Sequence, residues 1–190
     1  ARAAAVSCSD NDDENAGWTE LIKVATYNIQ YDNQSVEAGK WDNRKDLMQK
    51  MLKDCDFDIF GVQEPYKSQI DDIVSWFPEY GWVGASISGE SEKERVHYNP
   101  IFYRKDRFTV LDNGMFWYSE TPDVVNSKGW DSYSVRMCNW VKFKDNRNGK
   151  IFFHFNSHFD HKGETARLES AKLLVSKVKE IAADYPSFCT

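Results

Sequence analysis

The order of apolar segments predicts a mixed α/β (α+β) fold, with sheets inside and helices outside. A strand, a helix, a second strand and a second helix come first. A run of strands follows, and a long helix lies near the end. A doubly wound parallel sheet would place a helix after each strand, and the run of strands between residues 81 and 159 breaks that rhythm. Neither common type of Gly-rich phosphate loop is present.

Each element has its own reason. Leu21 to Gln30 (LIKVATYNIQ) is β-branched and apolar, and reads as a buried strand. Asp42 is placed to cap a helix running to about Lys53, with Leu47, Met48, Met51 and Leu52 on one stripe. Phe57 to Gln63 (FDIFGVQ) is a second short strand. From Tyr66 to Phe77, Ile70, Ile73, Val74 and Phe77 fall at helical spacing, and Pro78 ends the helix. Strands are then expected at Gly81–Ile87, Pro100–Arg104, Phe108–Tyr118, Ser134–Lys144 and Ile151–Phe159. Asn148-Gly149 is a hairpin signal between the last two. Gly163 to about Asp184 forms the clearest helix, with Leu168, Ala171, Leu174, Val175, Val178 and Ile181 on its apolar face.

The chain has 190 residues, of which 41% are hydrophobic and 15% aromatic, enough core material for one domain rather than a disordered chain. No apolar run approaches the roughly 20 residues that span a bilayer. A net charge of −6 argues against a broad, sequence-blind grip on nucleic acid. The four cysteines, Cys8, Cys55, Cys138 and Cys189, form no CxxC pair, which argues against structural zinc. Residues 1–17 differ from the rest. Small apolar residues lead to Ser7-Cys8, and a polar, acidic run from Ser9 to Asn15 follows. This stretch reads as a tether before a domain at 18–190. Ala5-Val6-Ser7-Cys8 resembles a bacterial lipobox, and the acids after it resemble an export signal of surface lipoproteins. The expectation is a secreted or outer-surface bacterial lipoprotein, touching a membrane only through a lipid on Cys8. A plain tail with an accidental cysteine is the alternative.

Three clusters carry chemistry. Thr26-Tyr27-Asn28 ends the first strand, where an asparagine is also a common turn residue. Gln63-Glu64-Pro65 ends the second. A carboxylate there suits a hard divalent ion, although a solitary Glu at a strand end is often simply solvated. Asn156-Ser157-His158-Phe159-Asp160-His161 ends the last strand, and alternation places Asn156, His158 and Asp160 on one face. His-x-Asp-His is compatible with a transition-metal site as well as with phosphate chemistry.

Taken together, these clusters match a known pattern. ATYNIQ, Trp41 with DNRK to Lys45, DIFGVQE at Asp58–Glu64, NPIFYRKDRF at Asn99–Phe108, FWYSETPD at Phe116–Asp123, GWDS at Gly129–Ser132, Arg136 with CNW to Trp140, and NSHFDHKGETAR at Asn156–Arg167 occur in order. The chain resembles the endonuclease/exonuclease/phosphatase family, whose fold is that of pancreatic deoxyribonuclease and exonuclease III, and within it a bacterial branch. The resemblance implies a four-layer α/β/β/α sandwich and Mg²⁺- or Mn²⁺-assisted hydrolysis of a phosphate ester, either a nucleic acid or a small or lipid phosphate. It makes Glu64 a metal ligand and Asn28 a residue that positions metal and phosphate. His158 would hydrogen-bond the scissile phosphate. Arg136 would contact phosphate, and Trp130 and Asp131 would line the substrate cleft, the alternative for Trp117, Trp130 and Trp140 being core or interface packing or glycan binding. Asp160 would support from behind, His161 has no assigned role, and Tyr118 and Arg104 are further site candidates. No obligate protein partner is implied.

The chain departs from the pattern in two ways. Related proteins carry a glutamate before the Tyr98-Asn99-Pro100 motif, where this chain has His97, with Glu94 three residues earlier. A histidine there would oppose protonation of His158, so either Glu94 takes the role or the pairing is altered. The Asp-x-Asn and terminal Asp-His motifs of the family do not occur, and the strand before Thr190 is the kind that leads into the first of them. The expectation is therefore a domain incomplete at its C-terminus and inactive by itself. The competing expectation is a surface lipoprotein that keeps the fold as a binding module.

Overall fold

The structure, a computed structural model, describes residues 21–190; the Cys8 lipid expectation lies outside the described residues. The described residues form two four-stranded sheets. The first has β1 (Val24–Asn28), β2 (Ile59–Gln63), β3 (Tyr80–Val83) and β4 (Ile101–Arg104), in the order β1-β2-β4-β3. The second has β5 (Phe108–Trp117), β6 (Met137–Asp145), β7 (Ile151–Ser157) and β8 (Ser187–Cys189), in sequence order. Helices α1 (Lys45–Cys55), α2 (Lys67–Trp76) and α3 (Glu164–Ala182) lie outside. Among the described residues only β1–β2 and β7–β8 pair in parallel, and α1 and α3 are the crossovers that parallel pairing requires.

Period-two alternation builds three apolar layers from these strands. On β2, Phe60 and Val62 face Met48, Leu52, Ile70 and Ile73 of α1 and α2, while Ile59 points the other way. Ile59 and Ile101 meet Phe108, Val141, Phe143 and Phe152 between the sheets. On β7, Phe153 and Phe155 turn outward to Leu173, Leu174, Val178 and Ile181 of α3. The layers are therefore helix, sheet, sheet, helix. Among the described residues no helix is long and apolar enough to cross a membrane.

Several boundaries differ from the sequence reading. Asp42 lies in a 3-10 turn, Trp41–Asn43, and Arg44 precedes α1 without a side-chain cap. The Arg44 guanidinium instead binds the carbonyls of Ile29, Gln30, Tyr31 and Gly39, tying the loop after β1 to the helix start. Leu47 is 73% exposed, so the buried stripe of α1 is Met48, Met51, Leu52 and Cys55. Leu168 and Val175 are exposed on α3, whose packed face shifts to Leu173, Leu174, Val178 and Ile181. The Asn148-Gly149 turn forms as its residues predict, with Gly149 at φ +75°.

Polar side chains brace the sheets at one end. The Asn156 carboxamide nitrogen reaches the carbonyls of Val62, Asn99 and Pro100 at 3.0–3.1 Å. Its oxygen accepts from Gln63 Nε2 at 2.6 Å and from Thr190 Oγ1 at 3.2 Å. Asn139 donates to Asn99 and Ala85 carbonyls, and Asn99 donates to that of Met137. Gly61 makes room, since a Cβ there would come within 2.6 Å of Asn156 Oδ1. Unpaired buried carbonyls cost about 1–3 kcal/mol each, so Asn156→Ala is expected to lower stability by about 3 kcal/mol in urea unfolding. Asn156→Asp is expected to cost more, because it turns a carboxylate oxygen toward three carbonyl oxygens.

Candidate functional site

The braced end of the sheets is where the chemistry-bearing residues gather. Asn28 and Gln63 sit opposite each other at the C-terminal ends of β1 and β2. The chain leaves β2 at Glu64 with φ +71°, a left-handed conformation that a branch-free acidic residue adopts only at a cost of order 1 kcal/mol. Glu64 N–H donates to Tyr98 O at 3.1 Å, which holds the bend. The carboxylate then accepts Asn28 Nδ2 at 2.9 Å and lies 3.5 Å from His158 Nε2. Asn28 Oδ1 accepts from Gln30 N–H, so the amide orientation is fixed at both ends. Behind it Gln69 ties α2 to the same loop by accepting from Asp32 N–H and donating to Gln30 O.

Arg136, just before β6, is the electrostatic centre. It is buried, and Nε donates to Asp160 Oδ2 at 3.1 Å. Nη1 lies 2.9 Å from His158 Nδ1 and 3.3 Å from its Nε2, while Nη2 donates to His161 Nδ1 at 2.9 Å. A guanidinium offers only protons, so the nearer His158 nitrogen, Nδ1, accepts and the ring proton belongs on Nε2, facing Glu64. Burial penalises the charged form of Asp160, but backbone N–H groups of Gly163, Lys162, Tyr133 and Ser134 outweigh it and hold the carboxyl well below its usual range. Burial, then Arg136, pushes His158 down to about 4 against the opposing pull of Glu64, and His97 and His161 add to the depression. His158 is thus a neutral hydrogen-bond donor at neutral pH, not the imidazolium that a neighbouring acid would favour.

The other candidate residues fall into place around this core. His97 is stacked against Tyr31 at 5.1 Å and tilted on Tyr66 at 5.8 Å; burial lowers its pKa, with Glu64 raising it and Arg136 lowering it. Glu94 is exposed, and the group it influences is the Tyr98 hydroxyl. The carboxylate that faces His158 is Glu64 instead. Asp131 accepts backbone N–H groups of Thr165 and Ala166 at 3.3 and 2.7 Å, so it caps α3 rather than reaching into the cleft. Trp130 packs half-buried against the α3 layer, Trp117 donates its indole N–H to Ile87 O, and Trp140 lies over Gly114. Arg104 pairs with Asp56 at the opposite end of the first sheet, and the buried Tyr118 hydroxyl meets Ser157 Oγ at 2.6 Å.

Asn99, Asn139 and Gln63 have roles that the sequence reading left unassigned. Their signal was a lone amide inside each of three apolar runs, YNP, CNW and GVQE. Among the described residues no group of three or more His, Cys, Asp or Glu side chains converges to hold a metal. The His-x-Asp-His alternative fails on its donors: one guanidinium takes Nδ1 of both histidines, and backbone N–H groups take the carboxylate.

No family model matches the chain. Three relatives are informative. An endonuclease/exonuclease/phosphatase from Bacteroides vulgatus is 43% identical, with a TM-score of 0.83 over 89% of this chain and 64% of its own. The mannosyl-6-phosphatase of Bacteroides thetaiotaomicron is 38% identical, with a TM-score of 0.82 over the same shares. The CCR4-Not complex 3'-5'-exoribonuclease subunit of Aspergillus oryzae is 26% identical over 94% of this chain and 28% of its own. The chain thus spans 64% of the two solved relatives and about a quarter of the exoribonuclease.

The depressed imidazoles set a pH dependence. Burial drives His154 down to about 3, and His158 is down at about 4, both from an ordinary 6.5. The unfolded chain therefore binds protons that the folded chain refuses, and stability is full above pH 6.5 and lost as pH falls toward 4. Two such groups give a slope of up to about 2.7 kcal/mol per pH unit. Urea unfolding in EDTA at pH 7.5, 6 and 5 checks this, and His154→Gln is expected to halve the slope.

Proposed function

Because this chain belongs to the endonuclease/exonuclease/phosphatase family, we propose that its site binds a phosphate ester for metal-assisted hydrolysis by in-line attack of water. The observation that carries the reading is the convergence of Glu64, Asn28 and Arg136-anchored His158 at the strand ends, where ligands of open α/β sheets bind. In-line attack builds negative charge on the non-bridging and leaving oxygens of phosphorus. His158 Nε2–H is a pre-positioned donor for that charge, and the guanidinium behind it adds positive potential without changing protonation state.

Glu64 is the residue that would hold a divalent ion. Its donor chemistry fits Mg²⁺ or Mn²⁺, which bind through one or two carboxylates and fill other positions with water and phosphate oxygens. Such an ion supplies Lewis-acid charge to a phosphate oxygen and to the attacking water. Asn28 contributes by fixing the Glu64 carboxylate through Nδ2, while its Oδ1 accepts from Gln30 N–H and keeps a second lone pair. Only one metal-binding carboxylate and one phosphate-facing imidazole are in place among the described residues. We therefore propose that residues 21–190 bind phosphate better than they turn an ester over.

Likeness to a mannosyl-6-phosphatase at 38% identity supports a sugar phosphate as substrate. The acidic net charge of −6 supports the same class over a nucleic acid, whose phosphates call for a basic track. Charged hydrogen bonds are worth about 1.5–3 kcal/mol, or roughly 10- to 100-fold in affinity. Titration calorimetry with inorganic phosphate and Mg²⁺ is thus expected to show binding that Glu64→Gln and His158→Ala each weaken by about 10-fold or more, and that EDTA removes. Wild-type binding indifferent to all three changes would refute the site.

A further inference from the structure

We propose that Tyr133, His161 and Lys162 form a leaving-group subsite that holds the hydroxylated ring of a sugar phosphate beside the phosphate position. The proposal rests on the phosphate-ester reading and names the part of the site that distinguishes one ester from another.

Three observations carry it. Tyr133 is 60% exposed, yet its ring is fixed: the Lys162 ammonium lies 3.7 Å from the ring centroid, and His161 meets it edge-on at 5.3 Å. His161 is itself exposed, yet a buried guanidinium holds its Nδ1 at 2.9 Å. The loop beneath is pinned, since Asp160 accepts the backbone N–H of Ser134, Lys162 and Gly163 at 3.2, 2.9 and 2.8 Å. Ordering exposed side chains costs conformational entropy that so little burial does not return. A surface kept ordered in this way is pre-organised for a ligand.

The location follows from Arg136. The same guanidinium touches His158 and His161, so the subsite stands one guanidinium away from the imidazole that faces the phosphate. Its chemistry follows from the donors. With Nδ1 occupied, His161 carries its proton on Nε2 and presents an N–H. Lys162 presents an ammonium and Tyr133 a hydroxyl. The Tyr133 ring adds an apolar surface for C–H groups. A pyranose offers that combination, hydroxyl acceptors around a C–H face, and suits an aromatic wall with a few directed polar groups. An oligonucleotide would bring further phosphates, for which a single lysine is no track.

The test compares two probes, inorganic phosphate and a hexose 6-phosphate, by titration calorimetry with Mg²⁺ on the wild type and on Tyr133→Ala, Tyr133→Phe, His161→Ala and Lys162→Met. Wild type is expected to bind the sugar phosphate more tightly than phosphate alone. Tyr133→Ala and His161→Ala are each expected to raise the ratio of the two dissociation constants about 10-fold, Lys162→Met about 3-fold, and Tyr133→Phe to keep most of the preference. Ratios equal to wild type in all four variants overturn the subsite, as does tighter binding of a dinucleotide than of the hexose phosphate. Failure of inorganic phosphate to bind wild type overturns the phosphate site itself, which is a different result.

Discussion

The site depends on one buried carboxamide. Asn156 lies on the inward face of β7, yet its two amide protons are shared among three carbonyls of the other sheet, at the end of β2 and just before β4. Apolar packing between sheets fixes their separation but tolerates sliding, because dispersion contacts have no direction. Hydrogen bonds among buried groups do have direction, and leaving one unmade costs more than making it gains. The amide network of Gln63, Asn99, Asn139 and Asn156 therefore sets the relative position of the two sheets. Glu64 follows Gln63 directly and His158 follows Asn156 by two residues, so the distance between carboxylate and imidazole is inherited from this brace. That is how residues from different sheets come within 3.5 Å of each other.

A second constraint is electrostatic and runs outward from Asp160. Burying Arg136 is expensive unless its charge is matched in place. Asp160 provides the match only because backbone N–H groups hold it ionised while it is buried. One proton on each terminal nitrogen of the guanidinium is then spent on an imidazole, Nη1 on His158 and Nη2 on His161. One fixed cation thus removes the tautomer ambiguity of both histidines, something two independent surface imidazoles would lack. The cost in desolvation is traded for orientation, the property the proposed phosphate site most needs.

Much of this was legible in the sequence, and the failures are informative. Period-two and helical patterns located the strands and helices because burial enforces them. Boundaries slipped where a tertiary bond outbid a local one. Arg44 serves four carbonyls instead of letting Asp42 cap α1, and Asp131 is consumed by the first turn of α3. Glu64, Asn28 and His158 stand out as polar groups closing apolar strands, but an isolated asparagine or glutamate there is as readily a turn or solvated residue, and their expected roles came from the order of motifs that resembles the family. Their mutual geometry could not be read, since it is set by the amide brace, whose members look like ordinary interruptions of strands. The role of Arg136 was equally hidden. A guanidinium aimed at phosphate and one aimed at two histidines have the same sequence.

The exchange of an acidic residue for His97 fits this electrostatic design. A carboxylate at that place would draw His158 toward the imidazolium, and the resulting cation would sit against the Arg136 guanidinium at 2.9 Å. Two unit charges at such a distance repel by several kcal/mol even at the effective dielectric of a partly buried site. The site holds its permanent cation on Arg136 and leaves His158 neutral, and burial lowers the pKa of His97 as well. Positive potential at the proposed phosphate position then comes from a group that does not titrate in the physiological range, while His158 contributes a directed N–H. A histidine at position 97 and a buried arginine therefore suit each other, since neither draws a second cation onto His158 beside the guanidinium.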